Sequence, residues 1–127
     1  PDATASLFGL TLASTTRENL ARAAVEGMLC GLADGLDAVT RLGVPATSIR
    51  LVGGAARSRA VGAVAAQVFG LPVVIPEPGE YVARGAAVQA AWALSGTRPE
   101  WPIDTWAELA ADLQPVIRAQ YAAHAAG

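Results

Sequence analysis

The sequence predicts an α/β chain whose elements run helix, strand, helix, strand, helix. Three observations predict it. Apolar residues first recur at helical spacing over a long stretch. Two short β-branched runs follow, closed by Gly53-Gly54 and by Pro76 and Pro78. A second helical pattern lies between those runs, which is the order of a right-handed parallel strand-helix-strand crossover.

Residues 1–14 hold an apolar stretch, Leu7 to Leu12, broken by Gly9, and read as an extended lead-in segment. Thr15 and Glu18 have capping-box spacing and open a helix over 17–42. Leu20, Ala24, Met28 and Leu32 recur every four residues, and Leu36 and Val39 extend this stripe, which is expected to be the buried face. Arg22 and Glu26 can pair one turn apart. Gly27, Gly31 and Gly35 weaken the helix intrinsically but clear a face, so tight packing is expected there. Gly43 and Pro45 supply the stop.

Residues 49–52 form a short apolar run, hence a buried strand. Ser58 is placed to cap a helix over 59–69, which Gly70 closes. Residues 72–75 form a second buried strand, and a third helix spans 82–94 and ends at Gly96. Thr105 and Glu108 repeat the capping-box spacing and predict a last helix, which Pro115 interrupts or restarts before the tail at 116–126. The organisation expected is a lead-in at 1–14, an α/β core at 15–96 and a helical extension at 97–127. Neither strand alternates, so both faces should be covered. Two strands alone make no stable sheet, so further strands are expected from preceding sequence or from a partner.

With 53% hydrophobic and 16% charged residues, the chain has ample material for a core, which excludes disorder. A net charge of −2 without a basic run argues against nucleic acid or an anionic membrane as partner. All nine basic residues are arginine, so neither a catalytic lysine nor a lysine-dependent phosphate loop exists here. Cys30 is the single cysteine and reads as a buried structural thiol. His124, the single histidine, lies in the Ala-rich tail, and no metal site is expected. No signal peptide or membrane-spanning run is seen, and a cytoplasmic location is the expectation.

The segment richest in chemistry is Gly53, Gly54, Ala55, Ala56, Arg57 and Ser58, which leads from a buried strand into a helix start. Glycines let backbone approach a ligand, and the positive end of the following helix favours a phosphate or a polar ring edge. A packed structural turn is the competing explanation. The spacing is neither the Gly-x-Gly-x-x-Gly dinucleotide fingerprint nor a Walker A loop. Asp34 and Asp37 read as solvated face, and Glu77 and Glu80 as loop residues that structure the loop or line a cleft. Trp92, Trp101 and Trp106 read as aromatic pins for the last helices rather than sugar-stacking platforms.

Three motifs in order carry a resemblance. Gly9-Leu10-Thr11, Thr15-Thr16-Arg17, Arg22-Ala23 and Glu26-Gly27 resemble the second signature of the FGGY carbohydrate kinases. Residues 53–58 resemble the Gly-Gly-Gly-Ala-Arg-Ser adenosine motif of that family. Leu71-Pro72-Val73-Val74, Pro76-Glu77, Glu80-Tyr81 and Gly85-Ala86-Ala87 resemble its next strand and helix. Residues 77–82 and Gln89-Ala90-Ala91-Trp92 are most similar to the bacterial xylulokinase branch. The resemblance implies the C-terminal part of an actin-like ATPase (ribonuclease H-like) domain, where a three-stranded meander precedes these elements. It implies ATP and magnesium as cofactors, and ATP-dependent phosphorylation of D-xylulose at its 5-hydroxyl. Ribulose, gluconate and glycerol are the alternative acceptors within the family. The sugar would be bound mainly by an N-terminal domain, and the general-base aspartate would lie upstream, so no catalytic residue is assigned here and this chain alone is expected to be inactive. Gly53, Gly54, Ala55 and Ala56 would border adenosine and the inner phosphates, with Arg57 and Ser58 beside the adenine. Ala55 stands where the family usually has a third glycine, and Arg84 where a small or acidic residue is common. A noncatalytic, homodimerising module is the reading from a different class, resting on the glycine face of the first helix and an exposed sheet edge.

Overall fold

The computed structural model describes residues 5–125. Residues 1–4 of the lead-in and residues 126–127 of the tail lie outside it. The elements are α1 (Arg17–Arg41), β1 (Ile49–Arg50), a 3-10 turn (Gly54–Arg57), α2 (Arg59–Phe69), β2 (Val73–Pro76), α3 (Tyr81–Ser95), β3 (Thr105–Leu109) and α4 (Pro115–Ala125). The sheet order is β1-β2-β3. β1 and β2 are parallel, with Ile49 opposite Val73, so the expected crossover through α2 is present. β3 pairs antiparallel with the far edge of β2.

β3 corrects the expectation of a helix from Thr105. The capping-box spacing of Thr105 and Glu108 is coincidental. Ala107 and Leu109 alternate onto the core while Trp106 and Glu108 are exposed, and alternation of period two belongs to a strand. The third strand therefore comes from the chain's own tail. Pro115 restarts the chain as the first residue of α4, where its missing N–H costs nothing.

The core lies between the sheet and a layer made by α1, α2 and α4. It centres on Leu29, Cys30, Ala65, Val73 and Ile117, all buried. The buried row of α1 is Val25, Leu29, Cys30 and Ala33, not the expected row through Met28 and Leu32, which is exposed. Two neighbouring apolar rows share this helix, and α2 and α4 cover only one of them. The glycine face is likewise not a tight interface: a Cβ at Gly27 or Gly35 would meet nothing within 4 Å, and one at Gly31 only the Tyr121 hydroxyl at 3.8 Å.

Helix boundaries follow local chemistry closely. Thr16, one residue later than expected, caps α1 by accepting a hydrogen bond from the Asn19 N–H at 3.2 Å. The expected Thr15 instead donates to the Thr11 carbonyl at 2.6 Å. Gly70 ends α2 and Gly96 ends α3, both left-handed. Arg22 pairs with Glu26 at 2.6 Å as the spacing predicts, and also donates to Gln67 on α2 at 2.7 Å.

Besides Ile117 and Tyr121 in the core, one polar side chain ties α4 to α1. Arg118 bonds Asp37 at 2.5 Å, Asp34 at 3.0 Å and the Cys30 carbonyl oxygen at 2.8 Å. The two aspartates expected to be merely solvated are therefore the receptor for α4. At the chain's other end, Phe8 stacks on His124 with ring centroids 4.3 Å apart.

Burial pushes the Cys30 thiol above its ordinary value of 9.0; Arg118 opposes this, while Glu26 and Asp34 add to it. The folded chain thus keeps a proton that the unfolded chain releases. Stability from this group is complete below pH 9.0 and is lost as pH rises through the raised folded value. Tyr121, also shifted upward by burial and then by Asp34, acts in the same direction from 10.0. Urea unfolding across the alkaline range should show falling stability, and Cys30→Ala should flatten the lower part of that fall. A profile identical in both proteins would remove Cys30 as the cause.

Candidate functional site

The site is built where β1 ends. Pairing continues one residue beyond the strand, with the Leu51 N–H donating to the Val74 carbonyl at 2.9 Å. The backbone then turns sharply at Gly53, with φ 101° and ψ 176°. This conformation is closed to residues with a side chain. The 3-10 turn follows, secured by Ala56 N–H to Gly53 O at 3.1 Å and Ser58 N–H to Ala55 O at 3.0 Å. Ser58 occupies the N-cap of α2, but its hydroxyl makes no capping bond, contrary to the sequence expectation. The first N–H groups of α2 are left without side-chain partners, as helix starts next to anions commonly are.

The glycines separate into two kinds. A Cβ at Gly62 would come within 3.0 Å of Ile75 Cδ1, and one at Gly70 within 2.8 Å of Leu113 Cδ1. Those two are demanded by packing. A Cβ at Gly53 or Gly54 would meet nothing within 4 Å. Gly53 is required by its backbone angle, but Gly54 has neither a positive φ nor a neighbour. Nothing inside the described chain explains its lack of a side chain.

Bare backbone at this turn forms one wall of a cleft of about 150 Å³. Gly53, Gly54, Ala56 and Arg57 line it, with Leu51 and Ile75 among its apolar lining residues. Ala55 and Ser58 are not among the lining residues. Ala56 is also buried, packing inward against the core. No residue other than glycine has a positive φ among those described, so Ala55 takes the place of a glycine without backbone strain.

The opposite wall was only partly legible. It is made by Pro78, Gly79, Glu80 and Tyr81 at the start of α3, and by Trp106 of β3. Glu80 holds the N-cap position of α3 without a capping bond, which leaves its carboxylate available to the cleft. Tyr81 donates its hydroxyl to the Glu77 carbonyl and is fixed by it. None of the three tryptophans is buried, which corrects their reading as aromatic pins. Trp92 and Trp101 instead face a separate, wider groove of about 530 Å³ beside α3, together with Arg50, Arg84 and Arg98. Arg84 is tied there to the Pro102 carbonyl at 2.6 Å. The period-two alternation of 105–109 was the signal that places Trp106 on a strand.

Among the described residues, no group of three or more His, Cys, Asp or Glu side chains gathers to hold a metal. No helix among them is long and apolar enough to cross a membrane.

Comparison with known proteins agrees with this architecture. The C-terminal domain of the FGGY family of carbohydrate kinases matches residues 1–94. Xylulose kinase of Haemophilus influenzae is 37% identical over 109 residues, covering 86% of this chain and 22% of that protein. Glycerol kinase of Koribacter versatilis is 42% identical over 85 residues, 66% of this chain and 17% of that protein. The crystal structure of xylulose kinase from Bifidobacterium adolescentis superposes with a TM-score of 0.78 at 45% identity, covering 100% of this chain and 25% of that one. The chain thus spans about a quarter or less of the length of these relatives. Its fold is α/β and belongs to the actin-like ATPase architecture of that kinase. With the family match running through α1, β1, α2, β2 and most of α3, the chain belongs to the FGGY family of carbohydrate kinases, in its C-terminal domain.

Proposed function

We propose that the chain supplies the adenosine-binding side of an ATP-dependent sugar kinase, with D-xylulose as acceptor and D-xylulose 5-phosphate as product. The observation that carries the nucleotide reading is Gly54: an unhindered glycine, not needed for packing or for its backbone angle, bordering a cleft at a strand-to-helix turn. In this reading the bare backbone at Gly53 and Gly54 admits the nucleotide. The unpartnered N–H groups opening α2 face its inner phosphates, and Arg57 lies beside the base or the phosphates. Ala55 and Ser58 shape the turn from behind. ATP supplies the phosphoryl group, and magnesium would be held by residues other than those described here.

Similarity to xylulose kinases of two organisms favours xylulose. Similarity to glycerol kinase supports a second reading, a different polyol or sugar acid on the same nucleotide machinery. Turnover by the complete kinase with a panel of xylulose, ribulose, gluconate and glycerol separates them, and strong turnover with glycerol alone would sink the xylulose reading. The chain by itself should release no ADP from ATP in the presence of xylulose. Asp34 and Asp37 are both engaged by Arg118.

Calorimetric titration with ADP and magnesium tests the site. Gly54→Ala should leave the melting temperature unchanged, because no neighbour lies within 4 Å of the new Cβ, and Gly54→Leu carries the same side chain further into the cleft. Gly54→Leu should weaken ADP binding by at least about tenfold, roughly 1.4 kcal/mol. Equal affinity in Gly54→Leu and the unaltered chain would remove the nucleotide from this turn.

A further inference from the structure

We propose that Trp106 is the stacking platform for the nucleotide base, a binding residue supplied by β3. The inference rests on the nucleotide reading of the cleft.

The argument begins with the register of β3. Val73 faces Leu109, Val74 faces Glu108 and Ile75 faces Ala107, but Pro76 faces Thr105. One residue of β3 is skipped, and it is Trp106. The irregularity falls between Ile75 and Pro76, where proline has no N–H to give the ladder. Pairing resumes beyond it, with the Glu77 N–H donating to the Asp104 carbonyl at 2.9 Å. Trp106 is therefore the extra residue of a bulge. Bulges bend a strand and re-aim a side chain, commonly beside a functional cleft.

Its side chain has gone to the cleft rather than to the core. Ala107 and Leu109 pack against the core, whereas Trp106 lines the same cavity as Gly53 and Gly54 and stays 43% exposed. All three tryptophans are about equally exposed, and what sets Trp106 apart is that it alone lines this cavity. The cavity pairs it with a wall of naked backbone, and a flat aromatic ligand fills such a slot well. Tyr81 and Pro78 line the same cavity. Trp106 lies beyond residues 1–94, and β3 brings it beside Pro78, Gly79, Glu80 and Tyr81 in the cavity lining. Stacking on an indole is sequence-tolerant, because every base presents a π-face. Trp106 thus contributes grip on the base, while the turn at 53–57 serves the sugar and phosphates.

The test uses the whole chain with Trp92→Phe and Trp101→Phe, so that Trp106 is the only indole. Titration with ADP should quench its fluorescence, and inorganic pyrophosphate should not. In the otherwise unaltered chain, Trp106→Ala should weaken ADP binding by about tenfold without changing pyrophosphate binding, and Trp106→Phe should restore most of the loss. ADP binding with no quenching, or with equal affinity in Trp106→Ala, overturns the stacking role and leaves the cleft reading intact. Absence of any ADP binding to the unaltered, folded chain overturns the cleft reading and the role of Trp106 with it. The fluorescence arm retains Trp106 and decides the question even where Trp106→Ala fails to fold.

Discussion

Gly70→Ala is expected to destabilise the chain by about 2–4 kcal/mol, from two separable causes. The residue sits at φ 62°, the left-handed conformation that closes α2, where a Cβ costs roughly 1–2 kcal/mol. The same Cβ would lie 2.8 Å from Leu113 Cδ1, 3.1 Å from its Cβ and 3.3 Å from its Cγ. The nearness to Leu113 Cβ matters most, because that atom moves only with the backbone. The backbone there is held: the Asp112 N–H donates to Ala66 O at 3.3 Å and the Gln114 N–H to Gln67 O at 2.9 Å. Asp112 also accepts from the Gln67 amide at 3.1 Å. Leu113→Ala in the same chain should recover only the share due to Cγ and Cδ1, because the Cβ at 3.1 Å remains, and should leave the conformational part. Gly62→Ala should cost less, since its nearest neighbour is the flexible end of Ile75. Urea unfolding measures all three. A Gly70→Ala protein within about 0.5 kcal/mol of the original would show that the loop at 110–114 does not rest on the end of α2.

Arg118→Ala should cost about 2 kcal/mol. Its guanidinium satisfies three acceptors at once, on positions 30, 34 and 37 of α1. Exposed ion pairs alone contribute little, and both aspartates are half-exposed. The larger part therefore comes from the shielded bond to the Cys30 carbonyl and from the fork geometry, which places two charges on one planar group. Arg118→Lys should recover less than half of the loss, because an ammonium cannot reproduce that fork. The effect should persist in strong salt, diminished only by the exposed fraction. The Cys30 thiol supplies an independent readout. It is fully buried, and its labelling by a thiol reagent should accelerate in Arg118→Ala if α4 opens. Unchanged stability together with unchanged labelling would mean that α4 is held by Ile117 and its apolar neighbours alone.

The parts of the fold legible in the sequence are those that local chemistry dictates. The unit β1-α2-β2 was read almost to the residue, because Gly53, Gly70 and Pro76 each impose a backbone requirement that few alternatives meet. The turn at 53–58 was located for the same reason. What stayed hidden depends on partners distant in sequence. Thr105 and Glu108 satisfy a helix-start pattern, and only β2, some thirty residues earlier, makes their segment a strand. Trp106 borders the cleft beside the register shift opposite Pro76, which only the pairing with β2 reveals. On α1 two apolar rows compete, and bulk alone favours the row through Met28 and Leu32. The choice falls to the other row because α2 and α4 cover it and because Asp34 and Asp37 receive Arg118. No periodicity in α1 carries that information.

The clasp between Arg118 and Asp37 joins residues 81 positions apart. β3, which edges the sheet, and α4, which closes the helical layer, both lie in the last quarter of the chain. During synthesis, β1, α2 and β2 emerge first, with one edge of β2 bare and one side of α1 uncovered. Closing such long-range pairs is entropically slow. Neither surface is shielded until β3 and α4 are in place, and until then the exposed strand edge is most open to mispairing. Truncation just before residue 105 should leave a protease-sensitive chain, and extension through α4 should make it resistant in a single cooperative step.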